Sequence, residues 1–279
     1  MKKIFVNRKS RIAAVIISVV IPVMLICYTI WLTLRPSLNV KSEWTFTDTL
    51  IQNSDVLLSI VFLIVSSVPF FLVFDKRKSQ ARDIVPIAIM SAIAIIGRII
   101  FSIVPLPNFK PVTAIVIITG IAFGPEGGFL TGALTGFISN FIFGQGPWTP
   151  WQMFCWGMIG FIAGLFYQLG FLGKVGADLN EGGRKTPVRL IIFGFICGIL
   201  YGWVMNIYYV IGYIDPINIP SIIAVYLSSI LSDISHAGCT ALVLFAAADA
   251  WVRKLLRVKR KFALQGEQVR YEMPPSSEK

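Results

Sequence analysis

Between Ile84 and Gln152 the chain is almost wholly apolar, yet it carries Arg98, Lys110, Asn140, Gln145 and Gln152. A bilayer tolerates such residues where they face a cavity or a partner, so each is a functional candidate. Asn206 stands alone in a later apolar run. Counted at ~1.5 Å per residue, Arg98, Asn140, Gln152 and Asn206 all fall in the same half of their spans. The loops at that end add Asn108, Lys110, Gln145, Trp148, Trp151, Tyr208, Tyr209, Tyr213 and Asp215. Apolar and aromatic walls with a few donors and acceptors are the composition of a ligand cavity. The competing reading is an aromatic interface belt with snorkelling side chains. It suits any one Trp or Tyr, but not Arg98 and Asn206, which lie below such a belt.

Asp233 and His236 are a second candidate. A spacing of three places them on one helical face, near mid-membrane. A neutral imidazole hydrogen-bonded to the carboxylate is the plain reading, and a proton relay the sharper one. Several chemistries are missing from the sequence. It has no GxxxxGK[ST], HExxH or GxSxG, so neither a Walker-type ATP site nor these hydrolytic sites are encoded. No ligand cluster suggests a metal. Cys27, Cys155, Cys197 and Cys239 all lie in apolar runs without CxxC spacing, which makes them packing residues. Acids are scarce in the spans and no inverted repeat is evident, against an ion-driven carrier.

The elements that must position these residues are membrane helices. Of 279 residues, 56% are hydrophobic and 14% charged, with mean hydropathy +0.75. Ordinary globular chains are near ~25% charged. The net charge of +11 does not point to nucleic acid, because the basic residues cluster beside apolar runs. Eight spans are expected: 12–34, 55–74, 84–104, 112–123, 129–143, 151–172, 188–212 and 221–251. The first is too long for a signal peptide's apolar region and lacks a small-residue cleavage site. The fourth is short for the ~30 Å hydrocarbon core. With eight spans, every basic segment falls on one side: the N-terminus, 75–83, 173–187 and the tail from Arg253. Both termini are then cytoplasmic in a multi-pass cell-membrane protein, and the loops 35–54, 105–111, 144–150 and 213–220 face outside.

Small residues recur every fourth position at Gly128, Gly132 and Gly136, at Gly160 and Gly164, and at Gly194, Gly198 and Gly202. Such stripes let helices approach closely in lipid. Ala88 and Ala92 form a shorter stripe at the cytoplasmic end of the third span, where a partner helix could dock.

From about Ala81 to Trp251 the chain resembles the substrate-binding membrane subunit, or S component, of an energy-coupling factor (ECF) vitamin transporter. AIMSA, Ala88–Ala92, follows a basic segment and fits the AxxxA pattern by which such subunits dock on the coupling subunit. The more specific match is GRIIFSIVPLPNFKPVTAIVIITGIAFGPEGGFLTGALTGFISNFIFGQGPWTPWQM. It resembles the branch associated with cobalamin or a related corrinoid. The resemblance implies an all-α six-helix core over 83–252, preceded by two extra helices within 1–82 and followed by a polar basic tail, 253–279. It implies a vitamin site near the outer face. It also implies three partner subunits, the transmembrane coupling subunit and two cytosolic ATPases that use ATP, while this chain binds no cofactor. The expected ligand contacts are Arg98, Asn108, Lys110, Asn140, Gln145, Trp148, Trp151, Gln152, Asn206, Tyr209 and Asp215. Two other classes stay open from the residues alone: a membrane-embedded enzyme using Asp233, His236 and Arg98, and an autonomous channel or carrier.

Overall fold

A computed structural model describes residues 81–146, 148–176, 186–214 and 217–262. The two expected N-terminal spans, 12–34 and 55–74, lie outside these residues, as do Asp215 and the tail beyond 262. The described residues form five α-helices and one 3-10 turn: α1 (Ala81–Ile100), the turn Phe101–Ile103, α2 (Val112–Phe143), α3 (Trp148–Gln168), α4 (Val188–Tyr213) and α5 (Ile219–Lys261). Four of the five helices are long and apolar enough to cross a membrane, α3 being the other.

The fourth and fifth expected spans, 112–123 and 129–143, are two helical arms joined across a sharp kink within α2. The intervening GPEGG forms no loop. One residue, Gly124, leaves helical geometry at φ 87°, a conformation natural only to glycine. Pro125 then opens the second arm, where a missing N–H costs nothing. The arms double back on each other. A Cβ added at Gly128 would lie 2.8 Å from the Gly120 Cα, although eight residues of straight helix span ~12 Å. The six-helix core is therefore seen, among the described residues, as five helices with one sharply broken.

The small-residue stripes pack as their spacing predicts. Cβ atoms added at Gly120 and Gly128 would fall 2.2 and 2.4 Å from the Gly160 carbonyl oxygen. Gly132 meets the Trp156 backbone in the same way, so α3 lies directly against both arms. On the other side Gly194, Gly198 and Gly202 of α4 receive Leu244, Ala237 and Asp233 of α5. The first arm of α2 is buried at every position from Val112 to Phe123. It is the centre of the bundle, which explains how a twelve-residue arm needs no lipid contact. Three of the four cysteines, Cys155, Cys197 and Cys239, are buried free thiols.

Two helix ends differ from expectation. Trp148 begins α3 instead of belonging to a loop, because Thr149 bonds back to Gly146 and closes the first turn. The last helix continues ten residues past Trp251 to Lys261. Charge ends the apolar run there, but helix needs only an apolar face, and Val252, Leu255 and Leu256 supply it against the core. At its other end Asn218 and Ser221 form a reciprocal capping box. The bundle thus has a basic end, where Lys259 donates to the Ala122 carbonyl (3.3 Å), and a far end, which carries the loop 105–111.

Candidate ligand-binding site

The far end of the bundle holds a continuous polar relay. Arg98, in the last turn of α1, is only 6% exposed. Its Nη1 donates to Ser139 Oγ and, over 2.8 Å, to Asn140 Oδ1. Asn140 Nδ2 donates in turn to Thr149 Oγ1 (2.8 Å) and Gln152 Oε1 (3.0 Å). The Thr149 hydroxyl donates to Gln145 Oε1 (2.9 Å), and Gln145 Nε2 closes on the Phe137 carbonyl (2.9 Å). One guanidinium and three carboxamides thereby tie α1, the second arm of α2 and the start of α3 together. The Arg98 Cζ also lies 4.6 Å from the Phe143 ring centre and 5.2 Å from that of Trp156. Lys110 Nζ lies 5.4 Å from the same Phe143 ring. In its loop, the Lys110 ammonium is held below the ordinary lysine range by burial first and by the Arg98 charge second.

Beside this relay runs a second chain whose proton positions follow from its acceptors. His236 Nδ1 is 3.1 Å from the Asn108 carbonyl oxygen, which can only accept. Nδ1 therefore carries the proton, and in a neutral imidazole Nε2 is then an acceptor. The Thr113 hydroxyl donates to it over 2.8 Å and receives Trp156 Nε1–H over 3.2 Å. Trp156 stacks on Tyr201 with ring centres 4.8 Å apart, and Tyr201 lies 5.0 Å from His236. The chain fixes the backbone of Asn108, a non-glycine residue at φ 55°, a region asparagine enters more readily than most.

The expected Asp233–His236 bond is not formed. The two residues share α5 but turn to different neighbours. Asp233 Oδ2 accepts from Ser229 Oγ (3.0 Å), which also receives Asn206 Nδ2 (2.6 Å). The carboxylate sits against Gly202 of α4, while the imidazole reaches the 108–113 segment. His236 finds its partners on another element, whereas Asp233 accepts from Ser229 one turn earlier on α5 itself.

The structure divides the expected ligand contacts. Arg98, Lys110, Asn140, Gln145 and Gln152 join around the first relay. Asn108 touches the second chain through its carbonyl, and half-buried Trp148 donates to Gly144 O (3.3 Å) at the rim. Trp151 is buried against Tyr208 at 5.8 Å. Asn206 turns to Ser229 in a separate cluster, and Tyr209, 49% exposed, stacks on Tyr213. Ala88 and Ala92 are both exposed on α1. Near them an apolar cavity of ≈ 380 Å³ is lined by Val85, Pro86, Ile89, Leu255 and Phe262 among others. The sequence reading missed Thr113, Ser139, Thr149, Trp156 and Tyr201. Trp156 had a usable signal: an indole well inside a span is no interface residue, and its N–H needs a buried partner.

A helical membrane bundle with a ringed polar relay at one end and an exposed small-residue face near the other has the organisation of a transport subunit. A family model described as the ECF-type riboflavin transporter, S component, matches residues 78–248, more than half of the chain. The chain belongs to that S-component family. A UPF0397 protein of Vibrio atlanticus (strain LGP32) is 33% identical over 90 residues, 31% of this chain and 49% of that relative. The chain thus spans about half the length of this curated relative. No solved structure matches it. The family description names riboflavin, so the class expected from the sequence holds while its corrinoid branch gains no support.

Proposed function

We propose that this chain captures a flavin-type vitamin at the outer face of the cell membrane and hands it to an ATP-driven ECF module. The observation that carries this reading is the relay from Arg98 through Asn140 to Gln152, Thr149 and Gln145, roofed by aromatic rings. A flavin is a flat aromatic system with an edge of carbonyl and imide groups. Aromatic faces can cover the ring, and a guanidinium and carboxamides can pair the edge. In this reading both termini are cytoplasmic, Ala88 and Ala92 meet the coupling subunit, and the chain itself holds no cofactor. ATP is consumed by two partner ATPases.

A corrinoid is the second reading. It is favoured by the three carboxamides, Asn140, Gln145 and Gln152, since a corrin ring is edged with amides that such side chains can satisfy. Proteoliposomes test the transport claim. Radiolabelled riboflavin is expected to accumulate only when the coupling subunit, both ATPases and ATP are present with this chain. Accumulation without the ATPases would overturn the reading in favour of an autonomous carrier. Accumulation of cobalamin but not riboflavin would replace the flavin by the corrinoid.

A further inference from the structure

We infer that the ligand meets Arg98 and Lys110 through a negatively charged group, a phosphate or a carboxylate. The inference rests on the vitamin-capture reading and narrows it. Arg98 and Lys110 approach one ring, that of Phe143, at 4.6 and 5.4 Å. Neither has a carboxylate partner among the described residues. Asp249 is bonded to Arg253, and Asp233 accepts from Ser229. Asp83 opens α1 at the end opposite Arg98, and Glu126 lies beside the Gly124 turn. Two cations thus share one site with neutral polar and aromatic neighbours and no counter-charge among the described residues. Burying a charge is costly unless it is paired and hydrogen-bonded. Aromatic faces offset part of that cost but do not neutralise it.

The guanidinium is also incompletely used. Its Nη1 is taken by neutral acceptors, while Nε is buried without a hydrogen-bond partner. Asn140 cannot turn to supply more, because its Nδ2 is committed to Thr149 and Gln152. Held by one nitrogen, Arg98 keeps part of its planar fork for a ligand, and such a fork matches a carboxylate or phosphate. Phe143 is the last residue of α2, is 37% exposed, and is followed by Gly144 at φ 99°. Its ring is the cover that such a group would lie beside or displace.

For a flavin the charged group is the phosphate of flavin mononucleotide, which riboflavin lacks. The test is a titration of the purified full-length chain with riboflavin and flavin mononucleotide, followed by flavin fluorescence. Thermal-shift runs with inorganic phosphate accompany it. Flavin mononucleotide is expected to bind at least about tenfold tighter, Lys110→Gln to erase the difference, and Arg98→Gln to weaken both flavins, because the guanidinium also pairs the ring edge. Lys110, on a loop, keeps the test open where Arg98→Gln fails to fold. Equal affinities unaffected by Lys110→Gln would overturn the inference and leave flavin capture standing. If neither flavin binds, the functional reading fails. Stabilisation by phosphate that Lys110→Gln abolishes would then still support the anion site, and its absence would overturn that too.

Discussion

Asn140 has the most to lose of any residue in the site. It accepts from Arg98 and donates twice, so one carboxamide fixes three neighbours. Asn140→Ala leaves those groups unmet, at ~1–3 kcal/mol each. The variant is expected to melt several degrees lower in detergent and to bind flavin at least about tenfold more weakly. A thermal melt and a fluorescence titration check the two effects, and an unchanged melt would show that the relay does not hold the helices together. Arg98, Asn140 and Gln152 were legible in the sequence because a guanidinium or carboxamide in an apolar run has no local partner. Thr113, Ser139 and Thr149 were not. A threonine in a helix can satisfy its hydroxyl on its own backbone, as Thr119 does on Ile115 and Thr135 on Thr131. Nothing in sequence separates those from the threonine that serves His236. Asp233 and His236 failed for the opposite reason, since same-face spacing limits where side chains point but not which neighbour wins.

At the scale of elements, the contact between α2 and α3 depends on glycine at positions that touch backbone. A Cβ at Gly160 would stand 2.4 Å from the Gly128 carbonyl oxygen, and backbone cannot rotate away as a side chain can. Gly160→Leu is expected to abolish monodisperse protein on size-exclusion chromatography. Gly238→Ala, with nothing within 4 Å of the added carbon, should leave the elution profile unchanged. Equal behaviour of the two variants would contradict the close packing. The stripes themselves were plain from four-residue spacing, and so was the existence of each apolar segment. The reversal at Gly124 was harder to read. GPEGG has the composition of a loop, yet a single residue at positive φ makes the turn. The end of α5 was hidden because apolarity stops at Trp251 while helical propensity does not.

For the whole molecule, charge placement and the small-residue face set two expectations. If the basic end is cytoplasmic, a membrane-impermeant maleimide should label Ser102→Cys in intact cells and spare Lys254→Cys. Both residues are exposed, at opposite ends of the bundle. The reverse pattern would invert the orientation. Ala92→Trp adds an indole to the exposed face of α1 that carries Ala88. It is expected to abolish copurification of the coupling subunit while ligand affinity stays within about twofold, because the substitution lies away from the relay. Undiminished copurification would remove that face from the docking surface.

Direct binding by the isolated full-length chain tests the central claim. Purified protein, wild type and Asn140→Ala, is titrated with riboflavin and with cobalamin and the complexes weighed by native mass spectrometry. The account predicts one flavin bound per wild-type chain, no cobalamin, and at least about tenfold weaker flavin binding in Asn140→Ala. A chain that binds neither vitamin, or one whose flavin affinity is untouched by Asn140→Ala, contradicts it.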